Sequence, residues 1–242
     1  MSIKNKPLIT VSWSGGKDSA LALYRIIRSG EWQIDHLHTV INVDTRRVGL
    51  HGIHEDLIEK QAGSIGLPLR KLYLDPDKTN NAYQKMMQAY CDELSSKGIK
   101  HVMFGDIFLE DLKDYRDTML KSAGLTGIYP LWKENSADLL KEFLSVGFRS
   151  VLCAADATKI GKDTVGRELA EEMIDNEFKA IDPCGENGEY HSFVVSGPVF
   201  QHPISVDCRS VTSRDYTFEA LNEGGEKEEH HSSFWFADLQ LE

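Results

Sequence analysis

Apolar and polar positions follow two alternating rhythms over the first two thirds of the chain. Short strand-like runs occur at 8–11 (LITV, apolar and β-branched), 36–43 (HLHTVINV), 69–74 (LRKLYL) and 101–104 (HVMF). Each is followed by a stretch whose apolar residues recur three and four apart, at 20–27, 54–65, 80–97 and 108–123. The first rhythm predicts buried strands and the second amphipathic helices. Punctuation agrees with this reading. Gly66-Leu67-Pro68 stops one helix, Asp75-Pro76-Asp77 reads as a turn, and Gly98 sits where a helix cap belongs. A polar connection at 44–52 separates the second strand from the second helix. Gly127-Ile128-Tyr129-Pro130 leads into Leu131-Trp132, then a helix is predicted over 136–146 with Ser136 at its cap, a strand over 149–154 and a closing helix over 166–176.

Strands alternating with helices predict an α/β fold with a parallel sheet flanked by helices. From about residue 178 the pattern changes. A turn-rich stretch at 182–191 is followed by short β-like segments at 191–195, 204–206 and 216–220. The charged run at 223–229 reads as a solvated loop. Two units are therefore expected, a nucleotide-type α/β domain over 1–177 and a smaller β-rich subdomain over 178–242. The aromatic tail Phe234-Trp235-Phe236 reads as a strand of that subdomain, with the interface strand of a homodimer as the alternative.

Composition narrows the classes. The chain has 242 residues, 41% hydrophobic and 27% charged, with a formal net charge of −11. That acidic balance speaks against a generic nucleic-acid binder but not against a local basic cleft. The N-terminus carries no apolar segment of the secretory kind, and no run of apolar residues is long enough to span a membrane. Cys91, Cys153, Cys184 and Cys208 are scattered without a C-x-x-C pair, which fits reduced thiols in the cytoplasm better than a redox motif or zinc site.

The chemistry concentrates in Ser14-Gly15-Gly16-Lys17-Asp18-Ser19, between the first strand and the first helix. Two glycines let the backbone turn successive N–H groups toward one point, and the following helix aims its positive end there. Lys17 adds a full charge, and Ser14 and Ser19 add hydroxyl donors. These are the parts of a phosphate site. Asp18 repels phosphate unless a cation lies between them, which points to Mg²⁺ held by Asp18. The spacing is not that of a Walker A loop, which places four residues between its first glycine and the Gly-Lys pair.

The run resembles the SGGxDS signature of the PP-loop, or N-type, ATP pyrophosphatases. Three further motifs sharpen the likeness: Phe104-Gly105-Asp106-Ile107, Tyr129-Pro130-Leu131-Trp132, and Gly185-Glu186-Asn187-Gly188-Glu189-Tyr190-His191. In this order, from about residue 8 to about 200, they are similar to the diphthine–ammonia ligase-like family. The resemblance implies a Rossmann-like HUP sheet with a smaller β-containing domain. It also implies an ATP-dependent amidation, in which a carboxylate attacks the α phosphate, pyrophosphate leaves, and ammonia displaces AMP from the acyl-adenylate.

Under that resemblance Lys17 and Asp18 are the catalytic candidates. Ser14, Gly15, Gly16, Lys17, Ser19, Gly105 and Asp106 are candidates for holding ATP. Asp106 keeps two readings, a metal or ribose contact and a helix N-cap. Glu186, Glu189, His191 and Arg116 are candidates for the acceptor or ammonia side, against a hydrogen-bonded turn as the alternative for the trio. Cys184 reads as a packed small residue, Trp132 as core or cleft wall, and His51 and His54 as surface or capping residues. Residues 105–116 depart from the pattern G-A-I-x-S-x-Y-Q of diphthamide-linked members and are far more acidic, although Arg116 and a tyrosine remain. The ATP half of the resemblance thus carries over more fully than the acceptor half. A PP-loop tRNA-modifying enzyme and a nucleotide-binding sensor without turnover are the competing readings.

Overall fold

Leu8–Ser12 (β1) buries Ile9, Thr10 and Val11 completely, as a strand covered on both faces does. In the computed structural model, which describes residues 6–74, 80–221 and 227–242, β1 is the centre of a mostly parallel sheet. Gln33–Asn42 (β2) lies on one side of it and His101–Met103 (β6) on the other. Leu69–Leu74 (β5) extends the sheet beyond β2, and Thr126–Ile128 (β7) extends it beyond β6. Counted along the chain, the parallel strands stand in the order 3-2-1-4-5, and the order reverses at β1. Between β1 and β6 the ends of two strands open a crevice, which is where ligands bind in such sheets.

Helices cover both faces. Lys17–Ser29 (α1), Glu55–Ile65 (α2) and Ser136–Ser145 (α5) contribute Leu23, Ile58 and Phe143 to the larger core cluster. Asn80–Ser96 (α3) and Glu110–Ser122 (α4) bury Tyr90, Leu94 and Leu120 against Leu72, Val102 and Phe104 on the other face. Gly30 and Gly66 close α1 and α2 in the left-handed conformation.

A second, antiparallel sheet has the order β10-β11-β8-β9, formed by Arg149–Asp156 (β8), Tyr190–Ser196 (β9), Val206–Leu221 (β10) and Lys227–Leu241 (β11). Phe234, Trp235 and Phe236 pair with Asp156, Ala155 and Ala154, so the aromatic tail is a strand of its own chain's sheet.

Several expectations are corrected. The strand at 149–154 does not join the parallel sheet; it is β8 of the second sheet. No α-helix forms over 166–176. Gly166 N–H donates to Leu152, the Arg167 carbonyl accepts from Leu152, and Leu169 N–H donates to Ser150, so this backbone is spent on β8. Only a 3₁₀ turn, Glu171–Met173, remains. The connection at 44–52 contains half of a small hairpin, Arg47–Val48 (β3) with Ile53–His54 (β4). The segments at 204–206 and 216–220 resolve into one long strand that starts at Val206. Asn135, not Ser136, caps α5 by accepting from Asp138 N–H at 3.1 Å. The expected turn at Asp75-Pro76-Asp77 and residues 223–226 of the expected loop lie outside the described residues, while 227–229 belong to β11. Among the described residues no helix is long and apolar enough to cross a membrane.

Candidate active site

The phosphate loop sits at the β1–β6 crevice and is fastened to the second sheet. Val194 N–H of β9 donates to the Gly15 carbonyl at 2.9 Å, and Lys17 N–H donates to Ser192 Oγ at 3.1 Å. Gln61, fully buried on α2, completes the attachment. Its amide donates to the carbonyls of Gly15 (3.0 Å) and Val194 (2.7 Å) and accepts from Trp13 Nε1 (2.9 Å). Gly15 has φ +83°, and a Cβ there would lie 2.7 Å from Gln61 and Ile58. Within the loop, Ser14 Oγ accepts from Gly16 N–H at 3.3 Å and Ser19 Oγ donates to the Gly16 carbonyl at 2.9 Å.

Lys17 is 3% exposed. Its ammonium donates to the Cys184 carbonyl and to Asp18 Oδ2 (3.0 Å), and lies 4.7 Å from the centroid of the Tyr190 ring. Burial is the largest single influence and pulls its pKa down, but Asp18, Tyr190 and Cys184 together outweigh it and hold the group well above the ordinary lysine value. Lys17 is therefore a permanent cation inside the pocket.

The turn at 182–191 is organised by Asp182, whose Oδ2 accepts from Cys184 N–H and Glu186 N–H, both at 3.0 Å. Gly185 has φ +68° and packs against Tyr190 so closely that a Cβ would meet the ring at 2.7 Å. The turn reaches the opposite wall through Glu186 Oε1, which accepts from Ile107 N–H at 2.8 Å. Burial pushes the Glu186 carboxyl up to about 7, with Asp18 and Asp106 adding to the effect. Asp106 pairs with Arg116 at 2.7 Å, and Arg116 lies 4.4 Å from the Phe104 ring centroid. Helix α4 is capped at Leu109, so Asp106 does not serve as its N-cap.

These residues enclose a pocket of about 670 Å³. Ser14, Gly16, Lys17, Asp18, Ser19, Gly105, Asp106, Arg116, Glu186 and His191 all line it, as the sequence led one to expect of a shared site. Gly15 and Glu189 do not. Gly15 turns its carbonyl toward β9. Glu189 is buried in the turn, where Oε1 accepts from Asp182 N–H and Asn187 Nδ2 at 3.3 and 3.2 Å. A second chamber of about 1040 Å³ shares Ser12, Ser14, Leu50 and Arg116 with the first and continues past Thr39, Val40 and Asn42 of β2.

Sequence reasoning missed three members. His51 was expected at the surface but lines the phosphate pocket; His54 does cap α2, accepting from Asp56 N–H. Ser192 carried no local signal. Gln61 carried one, a polar residue on the buried stripe of α2 between Ile58 and Ala62. Burial pushes the Cys184 thiol far up, so it is protonated, and its Sγ bonds the Ser136 carbonyl. A packed residue, not a nucleophile, was expected and is found.

A glycine-bent loop at the switch point of a parallel sheet, with a buried lysine and flanking hydroxyls, defines a nucleotide-phosphate site of the PP-loop class. Family models for the diphthamide synthase N-terminal and C-terminal domains match residues 8–127 and 135–229. Together they span most of the chain, which belongs to the diphthine–ammonia ligase-like family. Among curated relatives, the diphthine–ammonia ligase of Danio rerio is 24% identical over 230 residues, covering 81% of this chain and 84% of that protein. The human diphthine–ammonia ligase is 24% identical and covers 82% of each chain. That of Schizosaccharomyces pombe is 23% identical, and the match covers 82% of this chain but 36% of the much longer yeast protein. Among solved structures, a U34-tRNA thiolase of Methanococcus maripaludis matches 60% of this chain and 59% of that one, at 14% identity and a TM-score of 0.38, too loose a likeness to argue from.

Proposed function

We propose that the chain is an ATP-dependent, AMP-forming ligase that joins ammonia to a carboxylate, the acceptor in the named relatives being diphthine. One observation carries the reading. The phosphate loop with Lys17 and Asp18 opens into the same pocket as the Gly185–Ser192 stretch, so a nucleotide and an acceptor can meet there. The chamber running along β2, with the buried Thr39 hydroxyl, unpartnered among the described residues, on its wall, suits the adenosine.

An acceptor carboxylate attacks the α phosphorus, the bond to the bridging oxygen breaks, and pyrophosphate leaves. Lys17 and the hydroxyls of Ser14 and Ser19 meet the charge that builds on it. Ammonia then attacks the acyl carbon, AMP departs, and the proton released from nitrogen is taken by Glu186. The family implies Mg²⁺, and the donor set fits it. Asp18 is an oxygen ligand whose carboxylate is 30% exposed beside the loop, and Mg²⁺ commonly takes one or two carboxylates with the rest from phosphate and water. When bound it supplies charge neutralisation between phosphate oxygens. The four free cysteines support placing the reaction in the reducing cytoplasm.

Incubation with Mg-ATP, ammonium and a diphthine-bearing protein or source extract is expected to give AMP and pyrophosphate in an acceptor-dependent manner. ADP and phosphate would discard the reading, and nucleotide held without turnover would favour a sensor. Glu186 supplies a second test. Below pH about 7 it is protonated and cannot accept a proton, so the amidation rate is expected to fall on the acid side. At a fixed free-ammonia concentration, Glu186→Gln is expected to erase that limb and lower kcat by about a hundredfold or more. An unchanged pH profile assigns the proton elsewhere.

A further inference from the structure

Two histidines without a role in that chemistry face the phosphate loop. The rings of His51, from the β3–β4 turn, and His191, from β9, lie 4.4 Å apart between centroids with their planes tilted by 33°. Both line the pocket. His51 Nε2 comes within 3.1 Å of where a Cβ on Gly16 would stand, so the ring closes over the loop itself. His191 precedes Ser192, whose hydroxyl holds the Lys17 amide. Its Nε2 is shut off from solvent and has no hydrogen-bond partner among the described residues. A buried nitrogen left without a partner is costly, and one at an anion site has an obvious candidate to satisfy it.

We infer that His51 and His191 are polyphosphate-contacting residues, whose adjacent imidazoles close over the loop, bond to the pyrophosphate portion of the nucleotide and take up a proton as it binds. The inference rests on the nucleotide reading of the loop. In the pocket without an anion, burial and the Lys17 charge push His191 down to about 4 and His51 well below its ordinary value, so both are neutral. Lys17 acts on both rings and His191 on His51, while Asp18, Glu186, Cys184 and Tyr190 line the same pocket. Across the second sheet His191 meets Ala154 of β8, and Ala154 pairs with Phe236 of β11, neither of which titrates. A polyphosphate brings several negative charges among these groups. At about 5 Å and an effective dielectric of about 20, each favours imidazolium by roughly two powers of ten. Two such charges carry His191 from about 4 into the range of neutral pH and raise His51 in the same direction. The same exchange offsets the cost of two neutral rings beside a cation, because the protonated pair and Lys17 then share the anion.

Pyrophosphate titrated into the full-length protein at pH 6, in two buffers of different ionisation heat, reads affinity and proton uptake together. The wild type is expected to take up about half a proton or more per pyrophosphate. His191→Gln and His51→Gln keep a hydrogen-bonding side chain but cannot titrate. Each is expected to diminish the uptake and to weaken pyrophosphate by about fivefold or more, with AMP affinity unchanged. Since His191 lies in a strand, the loop variant His51→Gln stands as the test should the other fail to fold. Uptake unchanged in the variants, equal weakening of AMP and pyrophosphate, or no pyrophosphate binding by the wild type overturns the inference. Histidine-dependent uptake in a protein that forms no AMP from ATP keeps the inference and discards the ligase reading.

Discussion

Lys17→Ala lowers the rate of pyrophosphate release by about a hundred- to a thousandfold, the usual effect of removing one preorganised donor from a developing oxyanion. The expectation follows from where the charge is kept. The ammonium is buried, permanently protonated, and fixed between the Cys184 carbonyl, Asp18 and the Tyr190 ring, so it needs no reorganisation when charge appears on the leaving group. The same truncation leaves Asp18 without its partner and the Cys184 carbonyl without its donor, at a cost of about 1–3 kcal/mol for each group that stays buried. Thermal unfolding and single-turnover kinetics on one preparation separate the two losses. A variant that unfolds earlier yet releases pyrophosphate within tenfold of the wild-type rate would move the catalytic charge to Arg116.

Gly105→Ala damages the site without removing any functional group. A Cβ at Gly105 would stand 2.8 Å from the Asp18 carbonyl carbon, 2.9 Å from Ser19 N and 3.0 Å from the Asp18 oxygen. All three are backbone atoms of the first turn of α1, which cannot rotate aside as a side chain can. Either β6 and α1 separate or the phosphate loop shifts. A loss of about 1–3 kcal/mol in stability is expected, as for other overpacked sites. Because the displaced atoms carry the loop, ATP affinity is expected to fall by about tenfold or more. Gly63→Ala is the control. It lies within α2 with nothing within 4 Å of its Cβ position, and is expected to stabilise by about 0.5–1 kcal/mol. Equal behaviour of the two variants would remove close approach as the reason for glycine at 105.

What was legible in the chain was what local neighbours decide. The strand, loop and helix over 8–29 lie in one continuous stretch, so periodicity and glycine placement were enough to expect a phosphate site there. The motif at 104–107 could be expected to share it because it ends a strand at the crevice, whereas that at 185–191 was placed beside it only by the family resemblance. What escaped depends on pairing between distant segments. Residues 166–176 space Leu169 and Met173 as a helix would, yet the backbone of Gly166, Arg167 and Leu169 is spent on β8. The strand at 149–156 has a composition that either sheet accepts, and only its partners, β9 and β11, assign it. Glu189 and Glu186 are three residues apart in one motif, but one satisfies the turn and the other crosses to Ile107, a difference fixed by a wall 79 residues upstream. His51 gave no sign because the hairpin that carries it into the pocket is two residues per strand.

The bonds that hold the phosphate loop have a further consequence for how the molecule comes into being. Lys17 is joined to Ser192 across 175 positions and to Cys184 across 167, and Gln61 to Val194 across 133. A chain emerging from the ribosome thus presents the complete nucleotide signature long before it owns a nucleotide site. The last fastening, from β9, arrives only after three quarters of the sequence has been made. Until then the loop lacks both its amide partner and the carbonyl that accepts from its lysine. Once both sheets are docked, a ligand at the loop tightens them together, by about 2.7 kcal/mol at a hundredfold excess over its Kd. Substrate then acts as a clasp between the two sheets, added to the bonds that Gln201 N–H makes to the Ser64 carbonyl at 2.8 Å and Arg47 to Asp238 at 3.0 Å.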